Sequence, residues 1–139
     1  MRKLAIAIDG PAGAGKSSVA KILAANMGYA YLDTGAMYRA VTYEVLRQEL
    51  TEEKDIVALA AGMDMTVKPE TDAMHVIVNG HDVTDHIRTP EVSARVSAVS
   101  ALAGVRAAMV EIQRRQAAKG GIVLDGRDTV SYTHLTLPT

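Results

Sequence analysis

The segment LAIAIDGPAGAGKS at residues 4–17 constrains this chain more than any other. Residues 4–8 form a short continuous apolar run, the pattern of a strand buried in a parallel sheet. Gly10, Pro11, Ala12, Gly13, Ala14 and Gly15 follow, and Lys16-Ser17-Ser18 opens a helical pattern. Gly10, four residues, then Gly15-Lys16-Ser17 satisfies G-x-x-x-x-G-K-[ST] without a mismatch. The glycines let backbone N–H groups close on a phosphate. Lys16 can then reach the β- and γ-phosphates, and the Ser17 hydroxyl helps hold Mg²⁺. The helix adds its N-terminal dipole to the same anion. Val19, Ile22, Leu23 and Met27 continue at helical spacing, so a helix is expected over 17–27 with Gly28 as its stop. An ordinary glycine-rich turn is the competing reading, and the flanks argue against it. The unit implies an α/β fold that binds a nucleotide.

At 139 residues the chain suits one domain with a real core, and an apolar content of 48% excludes a disordered chain. With five Tyr and neither Phe nor Trp, that core must be built from aliphatic side chains and Met. A net charge of −1 gives no electrostatic case for a nucleic-acid or membrane partner. No cysteine is present, which removes disulfides, thiolate chemistry and Cys-based zinc sites. His81 and His86 are five residues apart and no H-E-x-x-H occurs, so the four histidines lack metal-ligand spacing. The apolar run after Met1-Arg2-Lys3 is too short for a signal segment, and nothing approaches a membrane span. A soluble, cytoplasmic protein is expected.

The remaining pattern is mostly βα. A strand is expected over 29–32, then a turn at Asp33-Thr34-Gly35 that caps a helix over 36–50. Thr51-Glu52-Glu53 opens another helix to about 61, ended by Gly62. From Met63 the period becomes alternating, with strands over 65–67 and 75–78, a hairpin turn at Asn79-Gly80 and a returning strand over 81–83. Residues 63–88 therefore read as a small antiparallel insert. Thr89-Pro90-Glu91 starts a helix with Pro90 at its first position. A longer helix over 105–119 carries Met109, Ile112 and Gln116 along one side, and Gly120-Gly121 breaks it. A third parallel strand over 122–124 ends at Asp125-Gly126-Arg127-Asp128.

No N-K-x-D guanine signature is present. IDGPAGAGKS, LDTGAMYRA at 32–40, the β insert, IRTPEVS at 87–93 and LDGRD at 124–128 stand in one order. In that order the chain resembles the bacterial cytidylate kinases, a family of small P-loop nucleoside monophosphate kinases, over residues 1–128. The resemblance implies that residues 10–18 take the ATP phosphates. It implies that the segment from Thr34 to Arg39 contacts the acceptor nucleotide and that Arg127 binds its phosphate. Arg39 fits physically, because its guanidinium is a fixed cation with a fork suited to phosphate. Ser97, Arg106 and Asp128 match the family's base-recognition residues. An ionised Asp accepts from the cytosine amino group, whereas Arg donates to N3 and O2. Lys16, Arg39 and Arg127 would supply catalytic charge, and Asp125 would hold Mg²⁺ through water beside Ser17. For Asp125 and Asp9 a capping or turn role is the alternative.

The implied reaction is transfer of the ATP γ-phosphoryl group to CMP or dCMP by a monomer that needs Mg²⁺ and no nucleic acid or membrane. After Asp128 the resemblance stops. Residues 129–139, TVSYTHLTLPT, look like a translated sequencing adapter, so a partial kinase domain over 1–128 with a foreign tail lacking fixed structure is expected. The family's later strands and arginine-rich lid would then be missing. With the family's strand order 2-3-1-4-5, the strand over 4–8 would keep a partner on one side only. Two alternatives stay open: a nucleotide-binding fragment without turnover, or a P-loop kinase for another small acceptor.

Overall fold

The first apolar run folds as strand β1 (Ala5–Ile8), and the residues after the glycine loop fold as helix α1 (Lys16–Met27). Both are seen in a computed structural model that describes residues 5–8, 16–69, 74–118 and 120–125. The phosphate loop at 9–15 and everything after Asp125, including Arg127 and Asp128, lie outside the described residues. Helix α1 stops where Gly28 takes φ +68°. There Gly28 N–H donates to Ala25 O and Tyr29 N–H to Ala24 O, the paired bonds of a Schellman motif. Strand β2 (Ala30–Asp33) follows at once.

Strand β6 (Ile122–Asp125) lies between β1 and β2, parallel to both. This is the expected arrangement of the second, third and first parallel strands, and among the described residues β1 pairs only with β6. Parallel register sets Ile8, Asp125 and Asp33 in one row, so the carboxyl ends of all three strands share an edge. Ala24 and Val123 are buried together, with Leu23, Tyr29 and Tyr31 packed against them. The apolar stripe expected on α1 is corrected here: Ile22 is 62% exposed and Met27 37%. At 100° per residue Ile22 points opposite to Ala24, the small residue through which α1 is buried.

The chain divides into two compact units, Met1–Gly35 with Pro69–Met74 and Val110–Thr139, and Ala36–Lys68 with His75–Met109. The parallel sheet belongs to the first. In the second, helix α2 (Thr34–Arg47) buries Met37, Ala40, Val41, Glu44 and Val45, a stripe at helical spacing. The turn expected at Asp33-Thr34-Gly35 is absent: β2 runs to Asp33 and α2 starts at Thr34. The helix also ends before residue 50. Glu49 adopts φ 54°, its N–H donates to Leu46 O, and Leu50 N–H donates to Val45 O. A Schellman motif thus closes α2 with glutamate in the left-handed position that glycine usually fills.

Helix α3 (Glu53–Gly62) leads to a second sheet of β3 (Met65–Pro69), β4 (Met74–Val78) and β5 (His81–Asp82), in that order. The hairpin between β4 and β5 is antiparallel, with Asn79 at φ 50° and Gly80 at φ 85°, as an Asn-Gly turn requires. Strand β5 ends at Asp82 instead of Val83, because a 3₁₀ turn over Thr84–His86 begins there. Helix α4 (Pro90–Ser100) has Pro90 at its first position, and its cap Thr89 accepts from Val92 N–H at 3.3 Å. Helix α5 (Ala103–Ala118) buries Val105, Met109 and Ile112. Among the described residues no single helix is long and apolar enough to cross a membrane.

Three bonds make the end of the hairpin pH-sensitive. Thr84 donates to Asp82 Oδ1 from its hydroxyl at 2.5 Å and from its amide at 2.9 Å, and His75 Nδ1 lies 2.9 Å from Asp82 Oδ2. The Thr84 hydroxyl, the Thr84 amide and the His75 ring together hold the Asp82 carboxyl down at about 2, against an ordinary 3.8. A lowered folded-state value means that the contribution to stability is full above the unfolded value and is lost as pH falls toward 2. A carbon-detected NMR titration of Asp82 should show a midpoint near 2. Thr84→Val should move that midpoint up. An unshifted midpoint in the parent chain would mean that these bonds do not form in solution.

Candidate functional site

The described residues expected on the donor side, Lys16, Ser17, Ser18 and Asp125, belong to the first unit. Lys16, Ser17 and Ser18 form the opening of α1, which β1 reaches through the loop at 9–15. Asp125 ends β6 in register with Ile8, the last residue of β1. An acidic residue therefore stands on the sheet edge from which the phosphate loop departs, the edge where open α/β sheets bind ligands. Asp33 stands in the same row on β2. Thr34 is buried at the first position of α2. Gly10 to Gly15 and Asp9 lie outside the described residues.

Of the described residues expected to contact the acceptor, Thr34 belongs to the first unit, and Arg39, Ser97 and Arg106 belong to the second. Arg39 is half-buried on α2, and its Nη1 donates to Ser93 Oγ at 2.9 Å and to the Ile87 carbonyl at 3.3 Å. Ser97 on α4 and Arg106 on α5 are exposed on either side of the Ala101–Leu102 connection. Ala101 N–H donates to Ser97 O and Arg106 N–H to Leu102 O, so each residue is fixed by backbone bonds at this corner. A serine and an arginine are thus set on one helical corner, and a third helix carries an arginine clamped by IRTPEVS.

Beside Arg39, the same stripe of α2 carries Tyr43 and Arg47, four and eight residues on. These two, with Glu44, Val78, Asn79, His81, Asp82, Val83 and His86, line a cavity of about 400 Å³. Its charges are matched internally. Arg47 donates to Glu44 from Nη2 at 2.7 Å and from Nε at 3.2 Å, and Gln48 adds a bond at 3.4 Å. The Arg47 hydrogen bonds hold the Glu44 carboxyl below its ordinary range despite its burial. Among the described residues no group of three or more His, Asp or Glu is placed to hold a metal ion.

Two features had no clear signal in the sequence. Ser93 and the Ile87 carbonyl sit in a block that only the resemblance had marked, with no role attached to either. Gln113 is 1% exposed, and its Oε1 has no partner among the described residues, whereas the helical spacing sets Gln116, not Gln113, along one side with Met109 and Ile112.

Comparison with known proteins gives the family of the chain. A family model described as Cytidylate kinase matches residues 6–134. The chain is similar to the cytidylate kinase of Desulfitobacterium hafniense (strain Y51), at 49% identity over 94% of this chain and 57% of that protein. It is 50% identical to the cytidylate kinase of Bacillus subtilis (strain 168), over 91% of this chain and 58% of the relative. For that of Enterococcus faecalis (strain ATCC 700802 / V583) the figures are 48%, 92% and 58%. The chain thus spans somewhat under three-fifths of the length of the curated relatives it matches.

Proposed function

We propose, because the chain belongs to the cytidylate kinase family, that it carries the donor loop and acceptor site for ATP-dependent phosphorylation of CMP and dCMP. The observation that carries this is the parallel sheet with Asp125 in register with Ile8, from whose edge the G-x-x-x-x-G-K-S loop runs into α1. Residues 10–18 would bind the ATP phosphates. Thr34, Arg39, Ser97, Arg106, Arg127 and Asp128 would bind the acceptor. In the transfer, the bond from the β,γ-bridging oxygen to the γ-phosphorus breaks and a CMP phosphate oxygen forms the new one, giving ADP and CDP. Such chemistry is positioning and charge neutralisation, with no covalent enzyme intermediate. Lys16, Arg39 and Arg127 would supply the protein's share of charge.

The donor set suits Mg²⁺, because a Ser17 hydroxyl and an Asp125 carboxylate are hard oxygen ligands, and Asp125 stands on the loop's edge of the sheet. Ser17 would hold the ion directly and Asp125 through a water, and Mg²⁺ when bound neutralises charge on the β- and γ-phosphates. Cytosine selectivity would follow from Asp128 accepting from the amino group while Arg106 donates to the ring.

ADP release from Mg-ATP by the 139-residue chain, with and without CMP, tests the reading. CMP-dependent release is expected. Release equally strong with another nucleoside monophosphate or with shikimate would overturn the acceptor assignment. CMP binding without ADP release would assign nucleotide binding alone to these residues.

A further inference from the structure

We infer that Ser93 is a positioning residue for Arg39: with the Ile87 carbonyl it engages both Nη1 protons and leaves the Nε–Nη2 edge of the guanidinium for phosphate. The inference rests on the reading of Arg39 as an acceptor-phosphate ligand. A guanidinium carries five N–H donors in a rigid plane, and Nη1 has two of them. Arg39 Nη1 is bonded to two acceptors, Ser93 Oγ at 2.9 Å and Ile87 O at 3.3 Å. Among the described residues no bond is made by Nε–H or Nη2, and Nε–H with one Nη2–H forms a parallel pair, the fork that meets two oxygens of one phosphate.

Both acceptors are themselves held. Ser93 lies in the first turns of α4, where its own N–H donates to Thr89 O at 3.0 Å and Thr89 caps the helix behind Pro90. Ile87 is 1% exposed, so its side chain anchors the carbonyl that faces Arg39. Its neighbour His86 stacks on Tyr43 at 5.5 Å and 16°, and Tyr43 stands one turn from Arg39 on α2. Among the described residues the Ser93 hydroxyl bonds only to Arg39, so it has no competing structural duty. A long, flexible cation fixed in this way loses less freedom when its ligand arrives.

Ser93→Ala should weaken CMP binding about fivefold, the scale of one such hydrogen bond. Cytidine, which lacks the phosphate, should bind Ser93→Ala and parent chains alike, and Ser93→Thr should restore CMP affinity. In an Arg39→Ala background, Ser93→Ala should add no further loss. NMR titrations of the 139-residue chain read all of these, and arginine side-chain spectra add a ligand-free measurement. In those spectra the Arg39 Nη1 protons should exchange slowly in the parent chain and average rapidly in Ser93→Ala. Equal losses for CMP and cytidine, a loss that persists without Arg39, or rapid averaging in the parent chain would each overturn the positioning role. An Arg39→Ala chain that binds CMP normally, or a parent chain that binds none, overturns the acceptor-phosphate reading instead, and the ligand-free spectra then decide the Ser93–Arg39 contact alone.

Discussion

Lys16→Ala should lower CMP-dependent ADP formation roughly 10²–10³-fold, the usual cost of removing one preorganised charge-stabilising group from a reacting centre. The same change should leave folding stability equal or slightly higher. Lys16 is the first residue of α1, and no acidic residue stands in the first turn of that helix. A cation at a helix N-terminus opposes the dipole by about 0.3–1 kcal/mol, so on stability grounds this is a poor place for lysine. The position makes sense if an anion sits between the lysine and the helix end. Mg-ATP affinity, followed by calorimetry, should fall with turnover, at least tenfold on the scale of a lost charge-assisted bond. A melting temperature that drops while Mg-ATP affinity stays normal would contradict the donor-site assignment.

The order of elements was readable because local punctuation and hydrophobic period agreed. Gly28, Asn79-Gly80 and Gly120 all take the positive φ that their turn roles demand, and Thr89-Pro90 caps α4 as its spacing implies. Sequence reasoning failed where tertiary context overrode a local cue. Glutamate carries no helix-stop signal, yet Glu49 occupies the left-handed position that ends α2, with Leu50 bonded back to Val45. Ile22 fits an apolar spacing on α1, but Leu23 and Ala24 face the sheet and leave it exposed. The G-x-x-x-x-G-K-S pattern stood out in the sequence because its residues are contiguous and each has a distinct chemistry. The clamp on Arg39 was not, since it joins residues 48 and 54 positions apart and one acceptor is a backbone carbonyl. A carbonyl leaves no trace in a sequence.

Gly104→Ala should destabilise the chain by about 1–3 kcal/mol, the range for forcing an extra carbon into a packed contact. Helix propensity alone predicts the opposite sign, because alanine in place of glycine inside a helix gains up to about 1 kcal/mol. Packing decides the matter. A Cβ at residue 104, on the first turn of α5, would lie 2.5 Å from Val57 Cγ1, 2.9 Å from Cγ2 and 3.2 Å from Cβ. Val57 is β-branched and sits within α3, so one χ1 rotamer dominates and its methyl groups cannot simply rotate away. One of the two backbones must therefore move. Val57→Ala in the same chain removes the obstructing methyl groups and should recover most of the loss, which urea denaturation of the two variants will measure. Arg106 lies two residues further along α5, so on the acceptor-site reading the displaced turn also carries the base-binding arginine with it. Cytidine affinity should then fall in Gly104→Ala and return in the double variant. An unchanged or raised stability in Gly104→Ala would show that α3 and α5 do not approach this closely in solution.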